Sequence, residues 1–215
     1  MPQKDDFLSR LQAQLSETLV QVHDLSDEGR LDEALSAVRA AQRNLVGLES
    51  TLLNRLPSAD LLRLLGSNGS PDSERTLGAA ELLSAEFEVL ALKGEADPTQ
   101  AQKALELYLA VLTAEPGFAP FYAERLGTLI RSLDYPALPH IYPALAEVYR
   151  AAGRFGEAEN WLYRWRETEP GAAQGWAEAF YRELLSLPDE ALLAGGLPRD
   201  EVEEGLAEVT GEGVA

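Results

Sequence analysis

Apolar residues recur at intervals of three and four along nearly the whole chain, the spacing that lines one face of an α-helix. Phe7, Leu8, Leu11, Leu15, Leu19, Val22 and Leu25 form the first stripe and predict a helix over Asp6 to Leu25. Leu31, Ala34, Leu35, Val38, Ala41, Leu45 and Leu48 form the second, beyond the turn Glu28-Gly29-Arg30. These two helices would make a hairpin, which cannot bury both its faces alone. Thr51 to Leu56 and Ala59 to Leu65 predict short helices parted by Pro57, with Ser58 placed to cap the second. The run from Gly66 to Pro71 reads as a loop.

The pattern resumes over Thr76 to Lys93, where Gly94 stops it, then from Pro98 or Thr99 to Glu115 and over Ala119 to Leu133. Between Pro139 and Pro170 two stripes face each other. Tyr142, Leu145, Ala146 and Tyr149 share one helix face, and Ala158, Trp161, Leu162 and Trp165 repeat the interval on the next. Gly153 can adopt the left-handed conformation that ends a helix, and Pro170 cannot continue one. A helix over Ala172 to Leu187 and a short acidic one over Pro198 to Val209 complete the series.

The residues Tyr142, Leu145, Ala146, Tyr149, Ala158, Leu162 and Pro170 resemble the signature of a tetratricopeptide (TPR) repeat, which has about 34 residues. Tyr142 replaces the signature Trp, and Trp165 stands where the family has a small Ala, so a special neighbour or a wider helix spacing is expected there. The turn at Gly29-Arg30-Leu31 matches Gly153-Arg154-Phe155, and Ala104, Tyr108 and Pro116 fit the later signature places. The two corner glycines are not separated by a whole number of repeats, which excludes a uniform array. Taken in order, the pieces resemble an uncharacterised bacterial family of TPR-like proteins. The resemblance implies an all-α fold, antiparallel helix-turn-helix pairs stacked as an irregular right-handed array, and no assigned activity.

The expected organisation is an N-terminal hairpin with short helices (1–65), a loop (66–75), a helical array (76–187) and a short acidic helix with a tail (188–215). The 215 residues suffice to bury a core. The chain carries 36 acidic against 18 basic residues, a net charge of −18, and such a field repels nucleic acid. There is no Cys, which excludes disulfides and thiolate chemistry and fits a cytoplasmic setting. The N-terminus has no apolar run after its charges, and no stretch approaches the ~18 apolar residues of a membrane span.

Catalytic chemistry is hard to assemble from these residues. His23 and His140 are the only histidines, and neither has a second His at i+4 to hold a metal. Gly66-Ser-Asn-Gly-Ser70 lacks the G-x-S-x-G order, and no phosphate-cradling glycine motif occurs. The acids on Glu157 and Glu159, or Glu201, Glu203 and Glu204, read as solvated faces. We expect no catalytic residue, no metal and no cofactor.

What remains is recognition. In a TPR pair the first helix lines the groove, and carrying those places over gives His140, Glu147 and Arg150 as partner-binding candidates. On the preceding helix Tyr122 and Arg125, spaced i, i+3, could hold a peptide carboxylate. The arginines at 150, 154, 164, 166 and 182 would attract an acidic segment, or would be neutralised by Glu147, Glu157, Glu167 and Glu183 on the same helices. The expected function is a non-catalytic scaffold for a peptide or protein; the alternative is a structural homo-oligomer, a dimer or larger, assembled through the Leu8 to Leu25 stripe of the N-terminal helices.

Overall fold

The three-and-four spacing is realised as helix over most of the described residues, with no strand among them, and the chain is all-α. The computed structural model describes residues 2–66, 72–133 and 138–211, with side chains from residue 13 onward. Most of the Gly66 to Pro71 loop, the Asp134-Tyr135-Pro136 stop and the side chains of Phe7, Leu8 and Leu11 therefore lie outside the described residues. The chain divides into two units, Met1–Val111 with Leu126–Leu133, and Leu112–Arg125 with Asp134–Ala215.

In the first unit α1 (Pro2–Asp27) and α2 (Leu31–Ala41) form the expected hairpin. Gly29 takes φ +74°, and the Arg30 N–H bonds back to the Leu25 carbonyl at 2.8 Å, which satisfies a carbonyl left open at the end of α1. The second stripe does not continue as one helix to Leu48. At Gln42–Val46 the chain widens into a single π-helical turn and closes at Gly47. Short helices α3 (Ser50–Arg55) and α4 (Ser58–Leu65) follow. Ser58 does not cap α4; its hydroxyl donates to Glu106 Oε2 at 2.5 Å.

α5 (Ser73–Lys93) is the core of this unit, touching α1, α2, the π turn and α4. It starts three residues before the apolar pattern does, because the Asp72 carboxylate accepts the Arg75 N–H at 3.1 Å and caps the first turn. Leu77, Leu82, Leu83, Phe87 and Val89 are buried around most of its circumference, each contributing roughly 1.5–3 kcal/mol.

Glu86 interrupts that apolar surface and is only 1% exposed. Its carboxylate accepts Arg39 Nε at 2.8 Å, Gln42 Nε2 at 2.9 Å and Ser50 Oγ at 2.9 and 3.0 Å. Gln42 opens the π turn, and Val46 closes it just before the left-handed Gly47 ends the helix, so the Val46 carbonyl is left open and accepts Arg75 Nε at 2.8 Å. α6 (Pro98–Ala114) and α7 (Ala119–Arg131) are divided between the two units.

The second unit is built on α8 (Tyr142–Ala151), α9 (Phe155–Thr168), α10 (Pro170–Leu185), α11 (Asp189–Ala194) and α12 (Arg199–Thr210). All eight residues of the facing stripes from Tyr142 to Trp165 are buried. Tyr142 meets Trp161 at 5.6 Å between ring centres, joining α8 to α9. The corner repeats that of the first unit: Gly153 takes φ +72°, and the Arg154 N–H bonds to the Tyr149 carbonyl at 2.9 Å. Pro170 both ends α9 and opens α10, where its missing N–H costs nothing. α12, expected only as an acidic tail helix, packs on α10 through Val202, Gly205 and Val209.

Candidate functional site

α9 packs against both α8 and α10, and side-chain hydrogen bonds join those two helices to each other. Contacts between them advance in the same direction, from Glu147 to Trp176 and from Arg150 to Glu183, so α8 and α10 run parallel with α9 returning between them. On α10 the residues Ala172, Trp176, Ala179 and Glu183 follow at i, i+4, i+7 and i+11 and form one stripe. On α8, Glu147 and Arg150 form the facing edge.

These four polar or aromatic side chains are locked together. Arg150 donates to Glu147 through Nη2 at 2.5 Å and Nε at 3.1 Å, and its Nη1 reaches both Glu183 oxygens at 2.8 and 3.0 Å. The Trp176 indole N–H donates to Glu147 Oε2 at 3.2 Å. The Arg150 guanidinium, and secondarily the indole N–H, hold the Glu147 carboxyl below its ordinary range, while burial opposes them. The same pairing raises Arg150 above its usual value. With both partners charged at neutral pH and fixed in a fork geometry, the side chains lose little further freedom when something binds.

Behind this edge lies an aromatic ladder. Trp176 stacks on Phe180 at 5.0 Å with ring planes 14° apart, and Trp165 approaches Trp176 at 6.1 Å. The special neighbour expected for Trp165 is thus Trp176. The Trp165 N–H is buried without a hydrogen-bond partner.

Of the sequence-predicted site residues, Glu147 and Arg150 are brought together. His140 is exposed in a 3-10 turn, Pro139–Ile141, ahead of α8. Tyr122 and Arg125 are half-buried on α7, beside the 80% exposed Phe121, and α7 is tied to α8 by the Tyr149 hydroxyl donating to the Ala123 carbonyl at 3.4 Å. Trp176 and Glu183, not assigned to the site from the sequence, join Glu147 and Arg150 there. Their signal was present as the seven-residue spacing on one helix face, but only the parallel approach of α10 to α8 gives it meaning.

The cluster of arginines is neutralised within the chain. Arg150 is held by two carboxylates, Arg154 by Glu157, Arg166 by Glu208 at 2.9 Å and Arg182 by Glu178 at 3.1 Å. Arg164 lies over the Trp161 ring at 5.1 Å. Among the described residues no three His, Asp or Glu side chains converge to hold a metal ion, and no helix is long and apolar enough to cross a membrane.

No curated protein and no solved structure matches the chain. One family model does match, over residues 3–212, which is nearly the whole sequence. The chain belongs to that family, the family of unknown function DUF6483.

Proposed function

We propose that this protein is a non-catalytic, TPR-like interaction scaffold whose α8/α10 face binds a peptide or the surface of another protein. The observation that carries the reading is the pre-ordered edge formed by Glu147, Arg150, Trp176 and Glu183 on two parallel helices, one from each of two successive hairpins. An aromatic ring flanked by fixed charges is the composition of an interface centre, and rigidity lowers the entropy lost on docking. Glycine corners at Gly29 and Gly153, paired with buried facing stripes, support the TPR-like description.

The competing homodimer would use the α1 stripe. Val22 and Leu25 of that stripe are buried, and Leu15 and Leu19 are half-buried, so this part is already engaged within the chain. Affinity capture with the intact chain, repeated with Trp176→Ala plus Glu183→Lys, tests the scaffold reading. We expect partner recovery to fall several-fold; recovery unchanged by the double substitution would remove the α8/α10 face from the binding surface.

A further inference from the structure

The charge on the α8/α10 face bears on what it binds. We infer that its occupant is a cationic segment of another protein, a stretch rich in Lys and Arg; this rests on the scaffold reading above. An anionic segment would have to detach Arg150 from Glu147 and Glu183, against four hydrogen bonds of 2.5 to 3.1 Å, and approach a chain of net charge −18. The neighbouring arginines at 154, 166 and 182 are likewise paired.

A cationic segment meets no such cost. Glu183 is 52% exposed and uses its two oxygens on a single Arg150 nitrogen, and a carboxylate accepts about four hydrogen bonds. Ala172, Gly175 and Ala179 are exposed beside Trp176 and Glu183, so a backbone can lie close to α10. The half-buried indole offers an apolar surface for lysine stems. Long-range attraction to the acidic chain brings such a segment in, and Glu183 with Glu147 fixes where it stops.

The test is fluorescence anisotropy at low salt with short labelled peptides of alternating Lys and Ala, and of alternating Glu and Ala, titrated with the intact chain. Glu147→Gln plus Glu183→Gln is compared with Glu201→Gln plus Glu204→Gln, which removes the same charge from α12, after melting curves show both variants folded. The Lys peptide should bind, and the groove pair should weaken it on the order of tenfold while the α12 pair leaves it nearly unchanged. Equal weakening by both pairs would assign the attraction to net charge and overturn the inference while leaving the scaffold reading intact. Tighter binding of the Glu peptide, lost on Arg150→Ala, would reverse the sign of the occupant and again keep the face. A Lys peptide indifferent to both pairs and to Trp176→Ala would overturn the face itself.

Discussion

Gly205 of α12 rests directly on the ring of Tyr181 of α10, with no room for a side chain between them. Tyr181 is fully buried, and its hydroxyl donates to Glu159 Oε1 at 2.8 Å, so the ring has no free direction in which to move. Two opposed effects follow for Gly205→Ala. Helix propensity favours Ala by roughly 0.5–1 kcal/mol, whereas overpacking a fixed core costs about 1–3 kcal/mol. We predict a net loss of stability. Gly175→Ala is the internal control: it is exposed in α10 with open space at the methyl position, and it should gain roughly 0.5–1 kcal/mol. Urea denaturation of both variants checks the pair, and a gain at both sites would refute the close contact.

Glu86 is the polar keystone of the first unit. Replacing it with Ala leaves the buried Gln42 and the half-buried Ser50 without their acceptor and should cost roughly 2–4 kcal/mol. Arg39 is itself 46% exposed, but its partner carboxylate is only 1% exposed, so Arg39→Ala leaves a buried charge with neutral donors alone and should also cost roughly 2–4 kcal/mol. Urea denaturation is the readout; either variant unfolding at the wild-type midpoint would contradict the network as described.

Glu159 and Glu147 should respond to pH in opposite senses. Burial, with Glu201 and Glu208 adding to it, raises the Glu159 carboxyl above its ordinary 4.5, although the Tyr181 hydroxyl opposes this. The folded state therefore holds this proton more tightly than the unfolded one, and its contribution to stability falls as pH rises from 4.5 through the raised value. Glu159→Gln keeps an acceptor for Tyr181 and should gain on the wild type as pH is raised from acid to neutral. The Glu147 carboxyl is depressed, so its contribution is present above 4.5 and is lost as pH falls through the lower folded value. Glu147→Gln should be less stable at neutral pH and converge with the wild type in acid. Melting curves across this range give both slopes, and parallel curves for the two variants would dismiss the assignment.

Gly153→Val should unfold the second unit more readily than substitutions in solvated turns, because at φ +72° a β-branched residue is strained whatever space surrounds it. Gly69, the natural loop comparison, lies outside the described residues, so Gly171→Val, exposed in the first turn of α10, serves instead. A smaller drop in melting temperature at Gly153 than at Gly171 would contradict the corner.

Local periodicity makes much of this fold legible in the sequence itself. The facing stripes of α8 and α9, the Gly29 and Gly153 corners and the Pro170 boundary depend on residues close in sequence, and each was readable there. The π turn at Gln42–Val46 was not, since side-chain spacing says little about which carbonyl each N–H selects. Nothing in the sequence separates Glu86 from its neighbour Glu88; its burial becomes apparent only once Arg39 and Gln42 are brought to it from more than forty residues away. Glu147 and Arg150 were identified from one repeat, whereas Trp176 and Glu183 needed the packing of the next.

Site-specific photocross-linking in native cells tests the central claim most directly. A photoreactive residue at Ala179 lies on the α10 stripe between Trp176 and Glu183, and one at Glu204 on α12 serves as the comparison. The scaffold account predicts a discrete covalent adduct with a partner protein from position 179 and none from 204. An adduct from 204 with none from 179, or the same adducts from both, would contradict it.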